Sequence, residues 1–303
     1  MMPRLPTVIT SSVIRGSQKG DSHGGLYIVD LESGGYQQVL DWDVDTIDWS
    51  GMGAERGLRG IALYGGLVYL ASGDLIHVFD RDFGEQIESH HNKYLTGCHE
   101  IFAHDGILFI SSCGYDSVLL FDVTTKKFIK GYCLRGGSLS VFDPEQEGGP
   151  SEGNTLHVNS VYYQDGACYV SGAHSTAMYR IEDDVMTEYA WLPMGNHNGR
   201  PFKGGILYNS TRRNNVVYLD RHGSQSWAVP SFDDSKLLFS RPPRIRPRWA
   251  RGLCVMGDLI IGGCSPATIS VYRLGYSGRI KSVTLTMDVR NVIHGLEVWE
   301  IDG

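Results

Sequence analysis

The sequence lacks any apolar run near the roughly 18 residues that a membrane helix requires. Its start, MMPRLPTVITSSVI, lacks a long apolar core followed by a small-residue cleavage site, so no signal peptide is expected. The six cysteines show no CxxC spacing, and several lie inside strand-like runs. These absences predict a cytoplasmic protein that contacts no membrane and keeps its cysteines reduced and buried.

Other absences narrow the functional class. The formal net charge of −7 gives no reason to expect nucleic acid as a partner. Neither a GxSxG nucleophile element nor a GxxxxGKS phosphate loop occurs. No segment shows a sustained apolar period of 3.6 residues, which predicts a low helix content.

What the sequence does contain is a repeat of strands and tight turns. In each repeat an apolar strand ends in a two-residue turn, and a short strand, a small-residue loop and two further strands follow. The turns are Gly65-Gly66, Asp105-Gly106, Asp165-Gly166, Gly204-Gly205 and Gly257-Asp258. Such turns are strong hairpin signals, and four-stranded repeats of about 40–50 residues indicate a β-propeller.

The two ends of the chain complete the repeat. The segment after His294 supplies only a first strand, and the N-terminal segment supplies the other three. We therefore predict an all-β, six-bladed β-propeller in one domain (1–303), with four antiparallel strands per blade and the first blade closed by the C-terminal strand. The predicted blades are about 294–303 plus 5–45, 57–92, 97–132, 157–192, 196–230 and 249–288.

Histidine or arginine stands at the start of every predicted inner strand. Blade by blade these residues are His294, Arg59, His99, His157, His197 and Arg251. In a propeller the inner strands line the central channel, so equivalent positions converge there.

The register of these positions is not uniform. Arg59, His99 and Arg251 lie six residues before their turns, whereas His157 and His294 lie eight before. Steps of six and eight share a strand face. His197 lies seven before Gly204 and needs a bulge or kink to join the set. Asn159 and Asn198 occupy the six-residue position and are alternative ligands or hydrogen-bond partners.

Converging histidines predict a divalent metal on the propeller axis. Neutral imidazoles bind Fe, Zn, Cu, Ni or Mn, and the expected ligands are His99, His157, His197 and His294. Glu100 and Glu297 are candidates to orient the imidazoles from behind. A set rich in nitrogen argues against calcium. The alternative is that these histidines only bond water and neighbouring strands.

Arginines at the same face predict an anionic ligand. Arg59 and Arg251 stand beside the histidines, and guanidinium binds carboxylate or phosphate through two parallel hydrogen bonds. Loops expected at this face carry Arg15, Tyr115 and His174. The loop RPPRIRPRWAR (241–251) adds a local basic patch, or else is a solvated loop stiffened by proline.

The histidine set, His99, His157, His197 and His294, resembles the iron site of the carotenoid cleavage oxygenases. The resemblance lies in the constellation and does not run along the chain. It implies an axial Fe(II) held by four histidines, with Glu100 and Glu297 in the positions of the family's supporting glutamates. The two arginines favour a small anionic substrate over an apolar polyene.

Three functions follow from these patterns. The first is a non-haem iron oxygenase or oxidoreductase, with Arg59 and Arg251 holding an anionic group. The second is a metal-dependent lyase or hydrolase, in which the ion is a Lewis acid and Tyr115 or His174 is the acid or base. The third is a non-catalytic propeller that binds proteins.

Overall fold

The computed structural model describes residues 4–45, 57–238 and 247–299. These residues form β-strands joined by turns and loops, with two three-residue 3-10 turns at Cys113–Tyr115 and Asp234–Lys236. In the described part of the chain, no helix is long and apolar enough to cross a membrane. All six cysteines are free and buried, as predicted.

Along the described chain the strands follow one another in groups of four, except that the first group has three, the third has five and the last strand stands alone. The first half of the chain contains β1 (Thr7–Ile14), β2 (Gly24–Asp30), β3 (Tyr36–Asp41), β4 (Ile61–Tyr64), β5 (Leu67–Ala71), β6 (Leu75–Phe79), β7 (Gln86–His91), β8 (Cys98–His104), β9 (Ile107–Ser112), β10 (Ser117–Asp122), β11 (Lys127–Arg135) and β12 (Ser138–Phe142). The second half contains β13 (Val158–Gln164), β14 (Ala167–Gly172), β15 (Ala177–Glu182), β16 (Val185–Trp191), β17 (Asn196–Phe202), β18 (Gly205–Ser210), β19 (Asn215–Asp220), β20 (Gly223–Ala228), β21 (Arg251–Met256), β22 (Leu259–Cys264), β23 (Thr268–Arg273), β24 (Tyr276–Thr284) and β25 (Asn291–Val298).

These strands build six antiparallel sheets, the blades of a six-bladed β-propeller. Five sheets contain consecutive strands in chain order, and the remaining sheet has the order β25-β1-β2-β3. The predicted fold and the closure of the first blade by the C-terminal strand are therefore confirmed. β25 begins at Asn291, three residues before the predicted start at His294, so His294 lies inside this strand.

The third blade departs from four strands. The prediction of four strands per blade is wrong here, because Ser138–Phe142 folds back on β11 as a fifth strand, β12. Gly136 and Gly137 make the connection, both with positive φ (62° and 76°). Two adjacent residues with positive φ form the tight turn that suits a hairpin.

The chain divides into two compact units, which are described separately. The terminal unit consists of Met1–Arg59 and Asn209–Gly303, and the middle unit of Gly60–Tyr208. In the middle unit one apolar cluster joins β5 and β6 to β8–β10, and a second joins β9–β11 to β13 and β14. In the terminal unit a cluster joins β1 and β25 to β21–β23. Each cluster lies between neighbouring blades.

The inner hairpins turn where the sequence predicted, with one exception. Asp105-Gly106 and Asp165-Gly166 both adopt positive φ, as predicted for such turns. In the fifth blade the turn is Lys203-Gly204 (φ 45° and 77°), one residue earlier than predicted, and Gly205 opens β18. His197 therefore lies six residues before its turn, in the same register as His99, and Asn198 with φ 54° kinks the chain directly after it.

Candidate metal centre and arginine cluster

A candidate metal-binding group lies in the middle unit. His99, Cys113 and His157 offer one ligand atom each, and the three atoms lie within 4.8 Å of one another. Ligands of a tetrahedral metal stand about 3.5 Å apart when the bonds are about 2.0–2.3 Å. No pair of these ligand atoms therefore needs to close by more than about 1.3 Å to bind an ion. Sequence reasoning identified the two histidines but missed the cysteine.

Three different local structures position this group. His99 is the second residue of β8, where the pairing with β9 shifts between Cys98 and Ile101. Such a bulge turns a side chain away from the regular alternation of a strand. Cys113 opens the 3-10 turn that follows β9. His157 stands just before β13 with φ 55°, and its ring lies 5.0 Å from that of His99.

A buried carboxylate holds the backbone at His157. Asp116 is fully buried, and its oxygens accept hydrogen bonds from the backbone N–H groups of Thr155 (2.7 Å), Leu156 (3.0 Å) and His157 (2.9 Å). The Thr155 hydroxyl donates a fourth at 2.6 Å. These bonds fix the left-handed backbone that His157 requires. Sequence reasoning missed Asp116, because the loop that it holds lies about 40 residues further along the chain.

The orientation of the His157 ring is set by Asn154. The amide oxygen of Asn154 lies 2.9 Å from Nδ1 of His157 and accepts a hydrogen bond from the Nδ1–H group. This bond places the ring's lone pair on Nε2, the nitrogen with which the histidine would bind a metal.

Two further predicted residues lie near this group. The ring of His197 is 6.2 Å from that of His99, and its Nδ1 is 3.4 Å from the Gly195 carbonyl oxygen. The exposed ring of His174 lies 5.1 Å from that of His157.

Tyr115 packs edge-on against Tyr94 at 5.3 Å, and burial together with the nearby Glu152 raises its pKa. The Tyr115 hydroxyl therefore stays protonated at neutral pH and can donate a hydrogen bond.

Glu100 is a buried ion-pair partner. Its carboxylate accepts hydrogen bonds from Arg200 (3.0 Å), Asn198 (3.0 Å) and the backbone N–H of Val161 (3.2 Å). Burial raises the pKa of Glu100, and the Arg200 charge opposes that rise. Among the described residues these partners include no histidine, so a role behind a metal ligand stays a prediction. Of the alternative ligands, Asn198 bonds Glu100, and Asn159 donates to the Asn196 carbonyl oxygen at 3.1 Å.

In each unit a serine hydroxyl on the neighbouring strand forms hydrogen bonds to the backbone at a β-bulge of the inner strand. In the middle unit the Ser111 hydroxyl accepts from the Glu100 N–H (2.8 Å) and donates to the Glu100 carbonyl oxygen (2.9 Å). In the terminal unit Ser11 accepts from the Gly295 N–H at 2.7 Å and donates to the Arg59 carbonyl oxygen. The pairing of β1 with β25 skips His294 and Gly295, so His294 also stands at a bulge.

In the terminal unit, the positive charges of three arginines act on the buried side chain of His294. Burial, followed by the charges of Arg251, Arg59 and Arg15, holds the pKa of His294 well below its usual range. Burial and the charges of Arg15 and Arg59 likewise lower the pKa of Arg251. His294 is therefore neutral at physiological pH, as metal binding requires. Its role as a metal ligand stays a prediction.

The roles of the remaining residues predicted near this site stay predictions. Arg241, Arg244 and Arg246 lie outside the described residues, and Arg248 is exposed. Glu297 is half-buried in β25, opposite Ile9 of β1, and its supporting role stays a prediction. The missed residue here is Trp249, whose ring is approached by Arg15 and Arg251.

Comparisons with known proteins identify the fold. No protein-family model matches this chain, and no curated protein does. Among solved structures, a chain of a nidogen/laminin complex is similar, with 10% sequence identity, a TM-score of 0.57 and coverage of 96% of this chain and 97% of that one. The computationally designed Ika8 protein has 9% identity and a TM-score of 0.49, covering 96% and 91%. At such low identity the first likeness shows the propeller fold alone.

Proposed function

We propose that this protein is a metal-dependent enzyme that acts on a small anionic substrate. Its divalent metal would be held by His99, His157 and Cys113, with His197 as a further ligand candidate. The observation that carries the proposal is that the ligand atoms of His99, Cys113 and His157 lie within 4.8 Å of one another. Two imidazoles and a thiol are a donor set that binds transition metals rather than calcium or magnesium.

The identity of the metal separates two reactions. A bound Fe(II) would supply dioxygen or redox chemistry, and this oxygenase or oxidoreductase is the first candidate, in line with the resemblance to carotenoid cleavage oxygenases. Cys113 is a difference from a four-histidine site, and a thiolate with imidazoles is equally a zinc set. Cys113 therefore favours a lyase or hydrolase as the second candidate, in which the metal is a Lewis acid.

The roles proposed for the surrounding residues follow from their chemistry. Arg59 and Arg251, in the terminal unit, would bind an anionic group. His174 is exposed next to His157, so it could pass protons between this group and solvent. Burial raises the pKa of Tyr115, which suits its hydroxyl to donate a hydrogen bond to the substrate. Manganese, nickel and copper are the remaining metals that such a site accepts.

Metal quantification on protein purified without a histidine tag tests this proposal. We expect about one divalent transition metal per chain. Iron, with oxygen consumption when candidate anionic substrates are added, would support the oxidoreductase. Zinc without oxygen consumption would support the lyase or hydrolase. A protein without stoichiometric metal would contradict both and leave the third candidate, a propeller that only binds other proteins.

A further inference from the structure

Two arginines of the terminal unit lie against one tryptophan ring. The guanidinium carbon of Arg15 lies 3.6 Å from the centre of the Trp249 ring, and that of Arg251 lies 5.8 Å from it. Arg59 is fully buried, and its charge acts on both Arg251 and His294. The arginine cluster, as we call Arg15, Arg59, Arg251 and Trp249, thus combines one buried and two half-buried cations in one unit.

Like charges in this environment are costly. An aromatic face attracts a guanidinium but carries no net charge, so Trp249 cannot neutralise the arginines. Coulomb repulsion grows as water is excluded, and the charges of Arg15 and Arg59 add to burial in lowering the pKa of Arg251. Within the described residues, Nε of Arg251 is buried and has no hydrogen-bond partner. A ligand that offers a hydrogen-bond acceptor to such a buried donor gains the most binding free energy, because it removes the cost of leaving the donor unsatisfied.

We propose that the arginine cluster binds a small dianion, either a phosphate ester or a dicarboxylate. The shared chemistry is two negative charges on oxygen atoms that accept hydrogen bonds from guanidinium groups in pairs. A dianion suits the cluster better than a monoanion because three guanidinium charges are present. The stacking on Trp249 fixes the plane of the Arg15 guanidinium and so pre-organises one of the donors.

A dianion bound here would be the substrate of the proposed enzyme, so this inference rests on the proposed function for its biological role. The binding itself needs no metal, so it is tested on protein stripped of metal with a chelator. A failure here leaves the metal proposal standing, and a protein without metal can still bind the anion.

Isothermal titration calorimetry and thermal unfolding at constant ionic strength measure the binding. The probes are methyl phosphate, malonate and, as a monoanion control, acetate. We expect methyl phosphate or malonate to bind at least ten-fold more tightly than acetate and to raise the melting temperature. Preference for one of the two dianions distinguishes a phosphate-ester site from a dicarboxylate site.

Two charge-removing variants and one matched control locate the binding. Arg251→Gln and Arg15→Gln should each weaken dianion binding at least ten-fold, whereas Arg221→Gln, at an exposed turn of the same unit, should not. In anion-free buffer Arg251→Gln should also raise the melting temperature, because it relieves repulsion. The proposal is overturned if the three anions bind alike, or if both cluster variants bind dianions as tightly as the wild type.

Discussion

At the scale of single residues, Asp116 controls the geometry of the candidate metal centre. It receives four hydrogen bonds from the loop that ends in His157 and is itself fully buried. His157 occupies a left-handed conformation that costs free energy in a residue with a side chain. The hydrogen bonds to Asp116 offset this free-energy cost. The metal affinity of His157 should therefore depend on Asp116, a residue that binds no metal.

Replacing Asp116 with asparagine tests this dependence. The amide turns one acceptor into a donor facing other donors, so the free energy of unfolding should fall by about 2–4 kcal/mol. The affinity for zinc should fall about 10–100-fold, as for other residues that orient a ligand. Urea unfolding and zinc titration of metal-free protein measure the two effects.

Asp122→Asn is the matched control, since Asp122 accepts backbone N–H bonds at a surface turn of the same blade. It should leave zinc affinity unchanged and lower stability much less. Equal zinc affinity in Asp116→Asn and the wild type would show that Asp116 does not position His157.

At the scale of elements, hairpin turns and alternating strands were predictable because their signals are local. Two-residue turns and apolar alternation predicted the inner hairpins and the closing strand. The turn at Lys203-Gly204 was misplaced by one residue, because glycine was favoured over a lysine that adopts positive φ. Bulges such as the one at His99 leave no local signal, since they depend on a serine in the partner strand.

Closure by β25 predicts an unequal cost for two isoleucines. Ile293 is fully buried in β25 and belongs to the core shared with β21–β23, whereas Ile129 in β11 is 47% exposed. Ile293→Ala should lower the free energy of unfolding by about 2–5 kcal/mol, and Ile129→Ala by much less. Chemical denaturation of both variants makes the comparison. Equal losses would mean that β25 is not packed into the first blade.

At the scale of the whole molecule, the net charge does not reveal two local clusters of different chemistry. The chain carries a net charge of −7, yet the terminal unit contains the arginine cluster and the middle unit a cluster of histidines with a cysteine. The repeat predicted which histidines and arginines are equivalent. It could not predict Cys113, Asp116 or Trp249, because these residues come from loops whose course depends on packing rather than on strand period.

The central claim is that His99, Cys113 and His157 bind one divalent metal. Zinc titration of metal-free protein, with dialysis to measure the bound ion, tests it most directly. Wild-type protein should bind about one zinc per chain, and His99→Ala/His157→Ala should lose that binding. The control His91→Ala/His222→Ala removes two exposed histidines and should retain it. Unchanged zinc stoichiometry and affinity in a folded His99→Ala/His157→Ala variant would contradict the claim.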